Sequence, residues 1–200
     1  MKKTLLVLSS TLLMGISFVG CQKKGANDPS ISMHGRKARL CGEWVISAGT
    51  STSTSGSTTQ VDTWTSNSLT TTTGSTTTVG TNAHYNMTID KDGTWKSDQS
   101  VTYVVGSTSV ISTATSSGTW NWLGGVGDLK KKEQFVMKTL SASSTTGSTT
   151  SISSYTGDSA PSDVYEIDEL KNKELIIIWA GTSTSGTSTQ SDSGSMTFIQ

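Results

Sequence analysis

Two hundred residues suit roughly one domain, and 15 basic against 15 acidic side chains leave no net charge, which removes the electrostatic footprint of a nucleic-acid binder. Hydrophobic residues make up only 32% of the chain, while Ser and Thr number 35 each, so any core must be economical. The two prolines argue against a polyproline-type linker protein.

The chain opens with MKKTLLVLSSTLLMGISFVGCQKK. Lys2 and Lys3 precede an apolar run from Leu5 to Val19, and small Gly20 follows. This is signal-peptide anatomy over residues 1–20, and the run is short for a spanning helix. Phe18-Val19-Gly20-Cys21 resembles the lipobox of bacterial lipoproteins, with Phe18 where that family usually has Leu. The resemblance implies cleavage before Cys21, acylation of Cys21 by palmitate-type chains, and a protein tethered to a bacterial envelope membrane. Gln22 stands where Asp marks retention at the inner membrane, which points to the outer membrane. An ordinary secretory signal with a chance Cys is the competing reading. Loss of residues 1–20 leaves 13 basic and 15 acidic side chains, a net charge of about −2. Acyl chains contribute about 0.8 kcal/mol per buried CH₂, so two or three anchor firmly.

Residues 21–40 read as the lipidated Cys and a flexible tether, since "QKKGANDPSISMHGRKARL" has no clear period. Arg36, Lys37 and Arg39 either meet anionic headgroups or are simply solvated. Cys41 is then the one free thiol, with no internal disulfide partner. It packs as a small hydrophobe unless a His stands beside it; His34 lies in the tether and His84 has no context for that role.

The domain is expected over residues 41–200. Strand signals run through it: 42–47 with Trp44 and Ile46 on one face, and 83–90 with Tyr85, Met87 and Ile89 alternating against His84, Asn86 and Thr88. After the Lys91-Asp92-Gly93 turn come 94–105 with Trp95, Val101 and Tyr103, and 118–123 with Trp120 and Trp122. Residues 133–140 carry Phe135 and Met137, and 163–170 carry Tyr165 and Ile167. "LIIIWA" (175–180) is apolar on both faces, and 195–200 carry Met196 and Phe198. No amphipathic helix is evident.

Two kinds of connection alternate. Short charged ones (91–93, 124–133, 171–174) alternate with Ser/Thr/Gly-rich ones (48–82, 106–117, 141–162, 181–194). In an antiparallel up-and-down meander, alternate connections share an end, so all the Ser/Thr segments fall at one rim. Thr favours strands, and a Gly near the centre of "TSTSTSGSTTQ", "LTTTTGSTTTV" and "STTGSTT" is hairpin grammar. The alternative is disorder, because such tracts bury too little apolar surface to offset ordering entropy. The expected fold is all-β: about eight strands closing as a barrel, with Ser/Thr-rich hairpin extensions at one end.

These residues resemble a family. Gly42-x-Trp44 is similar to the G-x-W signature of lipocalins. Asp92-Gly93-Thr94, Ser117-Gly118-Thr119-Trp120, Tyr165-x-Ile167-x-x-Leu170 and Met196-Thr197-Phe198 follow the order of bacterial lipocalin-like lipoproteins. The resemblance spans about residues 40–200, with the Ser/Thr segments as insertions. It implies a barrel that binds a small apolar molecule, and a cavity wall drawn from Trp44, Tyr85, Met87, Trp95, Tyr103, Trp120, Trp122, Phe135 and Trp179. The alternative is that these aromatics fill a solid core, as in many small barrels.

No metal, phosphate-loop or dinucleotide motif occurs, so no cofactor is expected. "GDSAP" (157–161) invites comparison with GDS-type esterases, but Ser159 lacks the strand before it, the helix after it and a late His. Asp158-Ser159-Ala160 resembles the O-glycan acceptor of some Gram-negative bacteria, which would make Ser159 a modification site. Asn86-Met87-Thr88 is an N-x-T sequon inside an expected strand. A non-enzymatic, monomeric envelope lipoprotein is expected. It either binds a small ligand in its barrel or acts through its Ser/Thr-rich rim.

Overall fold

The computed structural model describes residues 35–123, 133–185 and 188–200. The signal peptide, Cys21, His34, most of the 21–40 tether, nearly all of the 124–133 turn and the tip of the 181–194 segment lie outside the described residues.

The described chain begins with a short helix, α1 (Arg36–Leu40), and continues as eleven strands: β1 (Gly42–Ser55), β2 (Thr58–Thr65), β3 (Ser68–Thr73), β4 (Thr76–Ile89), β5 (Thr94–Val105), β6 (Thr108–Leu123), β7 (Gln134–Thr146), β8 (Thr149–Ser154), β9 (Ser162–Leu170), β10 (Glu174–Ser185) and β11 (Ser188–Ile199). All pairings are antiparallel, and β6–β7 and β1–β11 close the sheet into a barrel. The expected count of about eight strands is corrected: ten strands form the wall and β8 lies outside, paired with β7.

The reason lies in which Ser/Thr segment carries an inward anchor. In β2 and β3, Trp64 and Leu69 are buried, and this holds the hairpin in the wall between β1 and β4. In β8 the one large apolar residue, Ile152, is 74% exposed. Nothing draws that strand into the ring. At the opposite end β2 and β3 are absent, and β1 pairs directly with β4 from Gly42↔Ile89 to Val45↔Asn86. Diameter grows with strand number, so the barrel flares toward its Ser/Thr rim.

The rim strands are ladders that outrun the core. β1 and β11 pair continuously from Ala48↔Thr197 to Ser55↔Gln190. Among the described residues, four two-residue turns cap rim hairpins: Gly56-Ser57, Gly74-Ser75, Gly106-Ser107 and Gly147-Ser148, each followed by Thr. The four glycines sit at φ from +58° to +63°, as the first central position of a II′ turn requires. Behind these tips Thr hydroxyls meet across the ladder: Thr54 and Thr59 at 3.2 Å, Thr72 and Thr77 at 3.2 Å, Thr145 and Thr150 at 3.0 Å.

At the base, α1 differs from the tether expected there. Leu40 is fully buried, and its carbonyl accepts the Trp44 indole N–H at 2.8 Å. Arg36 pairs with Glu133 at 3.1 Å, both buried. The Arg39 guanidinium donates to the Leu170 carbonyl, and the Lys37 ammonium lies 5.5 Å over the Trp120 ring. A five-residue helix is too short to show a period, so its one large apolar residue, Leu40, and its buried arginines carried no pattern. No helix among the described residues is long and apolar enough to cross a membrane.

Candidate functional site

The interior divides into three levels. The lowest is solid. Trp44, Ile46, Ile89, Phe135, Leu170, Leu175 and Phe198 are all at most 1% exposed. Two of the indoles here are tied to backbone, Trp44 to Leu40 and Trp120 to the Asp90 carbonyl at 2.7 Å. Nothing at this level is free to receive a ligand.

Above it lies a partly enclosed cavity of about 100 Å³. Its wall includes Tyr85, Met87, Trp95, Met137, Tyr165, Ile177, Trp179, Met196 and Phe198, with Thr139 and Asp163 as polar members. Higher still, Trp64, Tyr85, Ser97, Gln99, Ala114, Ser116 and Met196 enclose about 220 Å³. Tyr85 and Met196 belong to both levels. Burial pushes the Tyr85 hydroxyl above its ordinary range, and its bond to Ser97 offsets this in part.

A cleft lies beside the cavity. β9 pairs with β10 only as far as Glu166↔Ile178. Above that level β10 continues from Trp179 to Ser185 on β11 alone, while β8 stays on β7. The chain between β8 and β9 (155–161) takes a detour through Gly157 at φ +56° and a single 3-10 turn, Gly157–Ser159. The result is a cleft of about 540 Å³ between β9 and β10. It shares Asp163, Tyr165 and Trp179 with the cavity behind it. An apolar cavity near 150 Å³ takes benzene and small-molecule sites run to roughly 300–1,000 Å³. At about 100 Å³ the inner space is smaller than the benzene-sized one and takes only a few carbons, whereas the cleft of about 540 Å³ is in the small-molecule range.

The aromatic wall is held from several sides. Phe135 stacks on Tyr165 at 5.4 Å, and Tyr165 meets Trp179 edge-on at 5.9 Å. The Trp179 indole donates to the Asp192 carboxylate at 2.7 Å. Its ring lies over Gly194, its ladder partner, where a Cβ would collide with the ring. Asp163 is pushed above its ordinary value, first by desolvation and then by the Asp192 carboxylate. Tyr165 is also pushed up, mainly by burial and then by Asp163, so it stays a neutral hydroxyl.

Of the nine interior residues expected from the sequence, Tyr85, Met87, Trp95 and Trp179 line the cavity. Trp44, Trp120 and Phe135 belong to the solid base. Tyr103 is half-buried beside Gly80, and Trp122 packs at the edge of the core. Sequence reasoning missed Asp163 and Asp192 as site residues. The signal was parity: Asp163 precedes Tyr165 by two positions, and Asp192 precedes Met196 by four.

The other candidates are placed elsewhere. Cys41 donates weakly to the Lys37 carbonyl at 3.4 Å, and burial pushes its thiol up, the opposite of nucleophile activation. His84 lies on the outer face 3.4 Å from Asp98, and the Asn86 amide donates to Asp98 at 2.9 Å. Ser159 is exposed, its hydroxyl donating to the Thr156 carbonyl at 2.7 Å. No group of three or more His, Cys, Asp or Glu that could hold a metal occurs among the described residues. No family model matches the chain, and no curated protein or solved structure matches it either.

Proposed function

We propose that this chain is a lipid-anchored protein of the bacterial envelope whose lipocalin-like barrel binds one small, partly apolar molecule. The observation that carries the binding reading is that the cavity and the cleft lie side by side and share Asp163, Tyr165 and Trp179 in their walls. The anchoring reading rests on Lys2, Lys3, the apolar run and the Phe18-to-Cys21 tetrad, with the outer membrane favoured by Gln22. The role is binding rather than catalysis, by a monomer whose partners are the membrane and the ligand.

Two experiments test this. In cells fed an alkyne fatty acid, the wild-type chain takes up label and sediments with membranes, and Cys21→Ser abolishes both; label retained by Cys21→Ser contradicts the anchor. Native mass spectrometry of the protein taken from its own envelope is expected to show a bound small molecule. Met137→Trp, which fills the cavity, is expected to remove it. A ligand unaffected by Met137→Trp contradicts the site.

A second reading, action through the Ser/Thr-rich rim, is favoured by the exposed apolar residues near it: Val104, Val105 and Ile152 are 65% to 74% exposed. Shortening the β5–β6 and β7–β8 tips then leaves folding and ligand intact but removes a cell-surface phenotype. An unchanged phenotype speaks against this reading. Ser159 as an O-glycan acceptor belongs with it, and an unshifted intact mass on Ser159→Ala contradicts that modification.

A further inference from the structure

The cleft between β9 and β10 has a chemistry of its own. Two carboxylates, Asp163 and Asp192, line it, and among the described residues no Lys, Arg or His does. Lys138 neighbours Ser162 in the ladder, but it alternates with inward Met137 and Thr139 and so belongs to the outer face. The walls between the carboxylates are aromatic, Tyr165 and Trp179. Asp192 is already oriented by the Trp179 indole at 2.7 Å. Asp163, by contrast, is penalised in its charged form by desolvation and by Asp192. A cation between the two would relieve that penalty, and aromatic faces attract organic cations through the ring quadrupole. Beside Trp179 the cavity of about 100 Å³, walled by Met87, Met137, Ile177 and Met196, suits the end of a short apolar tail and disfavours a second charge.

We propose that this site takes a small alkylammonium ion, its headgroup between Asp163 and Asp192 against Tyr165 and Trp179, and its tail in the cavity. The proposal deepens the binding reading above and rests on it.

The test uses the full chain and three probes with the same tail: n-hexyltrimethylammonium, hexan-1-ol and hexanoate. Calorimetry is expected to show the cation binding roughly tenfold tighter than the alcohol, with hexanoate silent. Asp163→Asn and Asp192→Asn each weaken the cation roughly fivefold, several times more than they weaken the alcohol. Asp163→Asn, which disturbs no indole contact, decides the matter if Asp192→Asn unfolds. Binding of the permanently charged probe is expected to weaken as pH is lowered and Asp163, held above its ordinary value, takes up a proton. The other facing titratable groups, Tyr85 and Tyr165, stay neutral throughout. A cation bound no tighter than the alcohol, with Met137→Trp blocking both, overturns the cation preference and leaves the barrel-binding reading standing. Failure of all three probes to bind overturns both.

Discussion

At the base of the barrel, Leu40, Trp44, Phe135 and Phe198 are fully buried. At the rim, the same strands run on as Ser and Thr, and the ladder continues without a break from Gly49↔Met196 to Ser55↔Gln190. The base is held by burial, at roughly 1.5–3 kcal/mol for each large apolar side chain. The rim is held by backbone pairing, by turns with pre-set glycines and by Thr pairs at about 0.2–1 kcal/mol each. The difference teaches that a strand need not bury anything along its whole length, provided one end is nailed into a core and the tip is closed by the right turn. The site lies where the two regimes meet, at the level of Tyr165 and Trp179.

The contrast can be broken by substitution. Phe135→Ala in the base is expected to cost about 3–5 kcal/mol in chemical denaturation; a loss below that of a rim variant would erase the distinction. Gly118→Ala comes next, at about 1–3 kcal/mol, because a Cβ there would collide with the Lys138 carbonyl oxygen. At the rim, Gly74→Ala forces an L side chain into φ +58° and is expected to cost about 1–2 kcal/mol, seen as a shift in melting midpoint. Thr72→Val removes the hydroxyl pair with Thr77 and should cost below about 0.5 kcal/mol. A larger loss would mean that the rim supports the base.

Asp163→Asn sharpens the comparison from the site. The folded protein holds Asp163 above its ordinary value, so the native state binds the proton more tightly than the unfolded chain. Stability therefore falls as pH rises from the unfolded value through the folded one. The Asn variant is expected to be the more stable protein above that window and to match wild type below it. Equal stabilities in acid and at neutral pH would contradict the cause assigned to the shift.

Much of this was legible in the sequence. β5 runs from Thr94 to Val105, the limits that the flanking glycines mark, and the Gly-centred Ser/Thr tracts are hairpins. Alternation also identified most inward faces. It could not give height: Trp44 and Trp179 share the inward face, yet one is in the solid base and the other beside the cleft. Height depends on register, which is set by pairings far apart in sequence. Strand counting gave parity but not partners, so the entry of β2 and β3 into the wall was not visible. Asp163 and Asp192 were hidden because each stands in a Ser-rich stretch where polar residues look like rim.

The central claim is that the base is closed to ligands and that binding happens at the β9–β10 cleft. Nitrogen-15 labelling of the indoles tests it most directly, followed by titration with n-hexyltrimethylammonium. The account predicts that the Trp179 indole signal, tied to Asp192, moves with the titration, while those of Trp44 and Trp120, tied to backbone carbonyls, stay fixed. Movement of Trp44 or Trp120 with Trp179 unchanged would contradict it.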